Sequence, residues 1–128
     1  MVRAIAAVVL AIVAWLVAAT VGNWVLRAVI PGYSAVEASM EFSLPMMVGR
    51  LALGVVSSVW AGAACAAIAG ERRRPPVVAA VLLTVFFLPI HYMLWDKFPA
   101  WYHAFFLISL APSVLAGAAL MSRLAPSR

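Results

Sequence analysis

In 128 residues the chain carries 67% hydrophobic residues, a mean hydropathy of +1.10, only 10% charged residues and a formal net charge of +5. That leaves too little polar surface to cover a water-soluble fold, so the bilayer must act as the solvent. Apart from Arg50 the basic residues sit at or near the ends of the apolar runs, which reads as membrane orientation and excludes a nucleic-acid partner.

The first apolar run covers residues 4–26. Arg3 and the small residues Val17-Ala18-Ala19 imitate a secretory signal and its cleavage site. The run continues through Val21, Trp24 and Leu26, beyond an ordinary signal core, so a retained span is expected. Ala7, Ala11, Ala14, Ala18 and Gly22 form a small-residue stripe along it, and Asn23 stands near its outer end. Residues 27–43 form an outer loop in which Ile30-Pro31-Gly32 stops the helix. Ser34 with Glu37 matches a capping box and predicts a short interfacial helix before Ser43. Glu37 and Glu41 read as solvated loop charges.

The second run, 44–69, repeats small residues every four positions at Gly54, Ser58, Gly62 and Ala66, a groove into which another helix can pack closely. Arg50 begins the same face. An ionisable group inside a span is a functional candidate, with snorkelling to lipid phosphate as the simpler reading. Gly70 closes this helix and Pro75-Pro76 falls in the first turn of the next, where a missing N–H costs nothing. The third run, 77–95, carries His91 and an internal Pro89 that removes one hydrogen bond to Val85. Trp95-Asp96-Lys97-Phe98-Pro99 is a tight turn into the fourth run, 100–124, which holds His103 and a shorter stripe of Ser109, Ser113 and Gly117.

Each run approaches the ~20 residues needed to cross ~30 Å of hydrocarbon. None alternates in polarity as a barrel strand would, so helices are expected throughout. The fold class is therefore an all-α membrane protein, a single-domain bundle of four transmembrane helices. Arg3, the Arg72-Arg73-Arg74 run, Arg123 and Arg128 fall at one set of ends. Arg27, Arg50 and Lys97 at the other are matched by Glu37, Glu41 and Asp96, which predicts an N-in, C-in topology. Trp24, Tyr33, Tyr92, Trp95, Trp101 and Tyr102 mark the outer interface. Trp15 and Trp60 lie deeper and are expected to fill bundle volume.

The candidate polar cluster comprises Arg50, His91, His103, Asp96 and Asn23, all expected at one depth near the outer face. The second and fourth helices begin there, so their positive dipole ends join Arg50 and Lys97 in favouring an anion, either a lipid phosphate or a small carboxylate. No cofactor, metal or catalytic residue is expected. The single Cys65 cannot form a thiol pair, and no zinc spacing, phosphate loop or serine elbow is present. One histidine pair on adjacent spans argues against haem. A histidine acting as general base has only the proximity of His91 and His103 behind it.

The residues Leu88-Pro89-x-His91-x-x-x-Trp95-Asp96-x-Phe98-Pro99-x-Trp101-Tyr102-His103, preceded by Phe42-x-Leu44-Pro45-Met46 and Arg50, resemble a group of small four-span bacterial inner-membrane proteins with no assigned activity. The resemblance covers most of the chain and implies a multi-pass location in the cell inner membrane. It carries no substrate or partner. The leading expectation is an interaction or accessory protein, a homo-oligomer through the Gly54–Ala66 groove or a companion of another membrane protein. The alternative is an outer-leaflet binding or transport module for an anionic lipid or small ligand.

Overall fold

The structure, a computed structural model, describes residues 1–125; Arg128, counted above in the charge pattern, lies outside the described residues. Four long helices, each apolar and long enough to cross a membrane, carry the chain: α1 (Val2–Val29), α3 (Leu44–Ala69), α4 (Arg74–Met93) and α5 (Ala100–Leu124). A four-residue helix α2 (Tyr33–Val36) and a 3-10 turn (Trp95–Lys97) lie in the two connections at one end. The chain is an all-helical membrane protein.

Local sequence explains the boundaries. Nothing breaks α1 before Pro31, so the helix runs on past Leu26 and takes Arg27 out of the loop. At the other end of the bundle, Gly70 adopts φ 67° and its N–H bonds back to the Ala66 carbonyl at 2.9 Å. Pro75 and Pro76 lie inside α4, which starts at Arg74, because the first turn needs no N–H from them. Ser34 does not cap α2. The helix starts one residue earlier, after Gly32 at φ 79°, and Glu37 turns instead to a cationic partner on α1.

The helices close a ring in which α1 packs on α3, α3 on α5, α5 on α4, and α4 more sparsely back on α1. The interior is built from small residues, including Ala7, Ala11, Ala61, Cys65, Ala69, Ala79 and Ala80, with Leu83, Leu110 and Val114 between them. Larger branched side chains such as Val9, Val13, Val81 and Val85 point outward. This inversion suits a bundle in lipid, where contact between backbones and not exclusion of water draws helices together.

The small-residue face of α3 is used within the chain. A Cβ on Gly62 would collide with the Val114 carbonyl of α5, and one on Gly117 would collide with the Val59 carbonyl of α3. The α3 and α5 backbones therefore touch. Gly54 admits the edge of Phe106, Ala66 is buried, and Ser58 accepts a hydrogen bond from Trp15 Nε1 at 3.0 Å while donating to the Gly54 carbonyl at 2.7 Å. Trp15 fills bundle volume as expected. Trp60 does not, because it is 59% exposed on the outer surface of α3.

Chain direction puts the start of α1, the α3–α4 turn and the end of α5 at one end, with Arg3, Arg72, Arg73, Arg74 and Arg123. Arg3 Nε donates to the Ile68 carbonyl at 2.5 Å and thus ties the first turn of α1 to the last of α3. The opposite end gathers the aromatic residues and the candidate cluster.

Candidate functional site: a cationic cavity at the aromatic end

At the aromatic end α1 and α4 stand apart around a cavity of about 450 Å³. Trp15, Phe87 and Phe106 form its floor, with Trp15 and Phe87 ring centroids 4.6 Å apart. Asn23, Arg50, His91 and Tyr102 bring polar atoms to its walls, and Thr20, Trp24 and Ile90 border it on the lipid side. Most of the wall is apolar and the polar groups are few, the usual pattern of a ligand site.

Arg50 organises the upper wall. Its Nη1 donates to the Tyr33 hydroxyl at 2.8 Å and its Nε to the Tyr102 hydroxyl at 3.2 Å. The Tyr33 hydroxyl donates in turn to Asn23 Oδ1 at 2.9 Å, joining Arg50 and Asn23 into one network. The guanidinium also lies over the Phe42 ring, 4.6 Å from its centroid, and 5.8 Å from that of Phe98. Phe98 in turn stacks on Tyr102 at 4.2 Å. Arg50 is turned toward partners within the protein. It is half-buried and held in place by two phenols and two aromatic faces.

Among the described residues no carboxylate lies within ion-pair distance of Arg50, although the Glu37 charge acts on it from farther away. Glu37 is committed to Arg27, with Nε to Oε1 at 2.5 Å and Nη2 to Oε2 at 2.8 Å, a bidentate pair at the rim. That hydrogen bond holds the Glu37 carboxyl below the usual carboxylate range, against a smaller opposing effect of desolvation. No other ion pair occurs among the described residues. Of the five N–H bonds of Arg50 two are taken, and the Tyr102 hydroxyl proton has no acceptor among the described residues. The cavity therefore presents a fixed cation and surplus donors.

His91 and His103 meet directly, Nδ1 to Nδ1 at 2.7 Å. His103 Nε2 makes a long hydrogen bond, 3.3 Å, to the Trp95 carbonyl, which can only accept. Assigning tautomers from this network makes neutral His103 the Nδ1 acceptor and His91 the Nδ1 donor. His91 Nε2 is then a lone pair with no protein partner among the described residues, on a side chain that lines the cavity. A proton or a donor group can reach it without breaking the histidine pair. His103, 1% exposed and stacked on Trp95 at 4.7 Å, stands behind His91 and supports it.

Of the five residues of the predicted cluster, Arg50, Asn23 and His91 line one cavity and His103 buttresses the third of them. Asp96 stands apart, exposed in the 3-10 turn beside an equally exposed Lys97. The sequence reading overlooked Tyr33, wholly buried, and Tyr102, which it placed at the interface as general membrane aromatics. The available signal was Arg50 itself: a cation in a span needs acceptors, and these two phenols were within reach of its depth. Among the described residues no group of three or more His, Cys, Asp or Glu is arranged to hold a metal ion.

The class the fold and cavity define is a multi-pass helical membrane protein with a cationic pocket in one half of the bundle. No protein-family model, curated protein or solved structure matches the chain.

Proposed function

We propose that this protein binds an anionic group, a phosphate or carboxylate, in the cavity at the aromatic end, and that this end faces the outer side of a bacterial inner membrane. The single observation that carries the reading is Arg50: a half-buried guanidinium on a cavity wall, fixed by Tyr33 and Tyr102, with no carboxylate partner among the described residues. Burying a fixed cation without a counter-ion is costly, and an anionic ligand with two oxygens would take up its free N–H bonds as a fork. The N-terminal ends of α3 and α5 point to the same end and add positive potential. Membership of the group of small four-span inner-membrane proteins, and the N-in, C-in topology, belong to the same proposal and rest on the motif and charge pattern.

The interaction or accessory reading keeps less support. Its suggested surface, the Gly54–Ala66 face of α3, is covered by α1 and α5 of the same chain.

Native mass spectra of the protein released from its own membranes in mild detergent test the proposal. The expected result is a reproducible adduct that disappears in Arg50→Ala. An adduct that partitions into organic solvent is a lipid headgroup, whereas one removed by dialysis is a soluble anion. A bare multimer or a defined protein complex with no adduct, or a set of adducts none of which is lost in Arg50→Ala, would overturn the proposal.

A further inference from the structure

The three arginines between α3 and α4 do more than orient the chain, because they form the rim of a second concavity. At the arginine end a groove of about 880 Å³ runs between α1 and α4, walled by Ile5, Val8 and Ile12 on one side and Val78 and Leu82 on the other. Arg72, Arg73 and Arg74 border its mouth. All three are exposed, and none has a carboxylate within ion-pair distance among the described residues, neighbouring Glu71 included. Both helices that wall the groove begin at this end, so two positive dipole ends face the same rim.

The two chemistries of this groove select one kind of occupant. A soluble anion would neutralise the rim and leave the slot empty, while a neutral lipid would fill the slot and leave the guanidinium groups unpaired. A molecule with hydrocarbon chains below a phosphate satisfies both, and basic pockets between membrane helices on the cytoplasmic side recognise such headgroups. Arginine suits the role through its planar fork of donors. We infer that the α1–α4 groove at the arginine end is a binding site for an anionic glycerophospholipid, its chains along Val8, Ile12 and Leu82 and its phosphate against the three arginines. The site is separate from the Arg50 cavity: the two share no lining residue, and Trp15 and Phe87, which touch, line only the latter.

A neighbouring concavity on the other side of α4, bordered by Arg72, Arg73 and Arg123, supplies an internal control. Arg74 borders the first groove and not the second. The purified full chain would be reconstituted with equal phosphatidylglycerol and phosphatidylcholine, and the lipid retained after detergent release counted by native mass spectrometry. Wild-type protein is expected to retain phosphatidylglycerol selectively. Arg74→Gln should weaken retention roughly fivefold and the triple Gln variant roughly a hundredfold, at about the usual attraction per surface arginine. Val78→Trp, which fills the slot and leaves every charge in place, should also abolish it, whereas Arg50→Ala and Arg123→Gln should not.

Equal retention of the two lipids by wild-type protein overturns the inference without recourse to any variant. So does a loss in Arg123→Gln as large as in Arg74→Gln, which would move the lipid to the neighbouring concavity. Retention that survives Val78→Trp but not the triple variant would reduce the site to a headgroup contact, and it too overturns a groove-bound lipid.

Discussion

Along the α3–α5 seam Gly62 meets the Val114 carbonyl and Gly117 meets the Val59 carbonyl, whereas along the α1–α4 seam Trp15 and Phe87 touch at mid-height and concave space lies beyond them toward each end. The difference comes from side-chain size. Helices in lipid approach closely where glycine lets carbonyl oxygens reach the opposing backbone, whereas Trp15 and Phe87 fill the space between α1 and α4 with two large rings, a side-chain spacer. The first seam holds the bundle together. The second leaves concave space in both halves, bordered by Arg50 in one and by Arg72, Arg73 and Arg74 in the other. Under the proposed function, close packing and ligand binding fall on opposite sides of the ring.

The largest expected effect lies on the closed seam. Gly62→Leu must push α5 off α3, because the obstacle is backbone and cannot rotate away. A loss of about 3 kcal/mol is expected, at the upper end of overpacking costs, measured as unfolding in detergent. Gly22→Ala is the informative contrast: its Cβ meets only the end of the flexible Leu53 side chain, so it should cost less than about 1 kcal/mol. Equal losses at the two positions would show that backbone contact is not what closes the α3–α5 seam.

Next comes the support of Arg50. Tyr33→Phe removes the hydroxyl that joins Arg50 to Asn23 in a wholly buried position. A hydrogen bond to a charged group is worth about 2 kcal/mol, and the loss should appear as lower thermal stability together with weaker anion binding. Stability that falls while binding stays intact would separate the network from the proposed site.

How far the sequence foretold this arrangement depends on where each residue sits. The long helices were legible because span length and helix breakers are local properties, and the nearness of His91 and His103 followed from one tight turn between them. The Gly62 and Gly117 stripes were legible as packing faces, though their partner within the chain was not. For Tyr33 the only signal was the need of Arg50 for acceptors, because it lies in the outer connection, where no span periodicity applies. Its burial depends on Gly32 at φ 79° turning the chain inward. The capping-box pattern at Ser34 and Glu37 misled for a related reason. It scored a local pairing, while Glu37 had a stronger partner ten residues back at Arg27.

A smaller effect is expected at the spacer of the open seam. Trp15→Phe keeps a ring against Phe87 but deletes the donor to Ser58 Oγ, which retains its own bond to the Gly54 carbonyl. About 1 kcal/mol should be lost, the net worth of one neutral hydrogen bond. Trp15→Ala should cost more and also enlarge the cavity. If Trp15→Phe alone opened the seam between cavity and groove, the spacer would act through its hydrogen bond and not its bulk.

The smallest effect belongs to the rim pair of Arg27 and Glu37, which is exposed enough for water and salt to screen it. Its sign is nevertheless definite. The Glu37 carboxyl is held below its ordinary range by the Arg27 hydrogen bond, so the folded state favours the ionised form. The contribution to stability is present above the ordinary glutamate value of about 4.3 and is lost as pH falls through the lower folded value. Carboxyl NMR should show Glu37 titrating below that value in wild-type protein and returning toward it in Arg27→Gln. Protonating Glu37 also releases Arg27 at the mouth of a cavity that already holds Arg50, so under the proposed function the affinity for a strong-acid anion should rise modestly over the same interval. An unchanged midpoint in Arg27→Gln would remove both expectations together, because the pairing and the rim charge rest on the same two side chains.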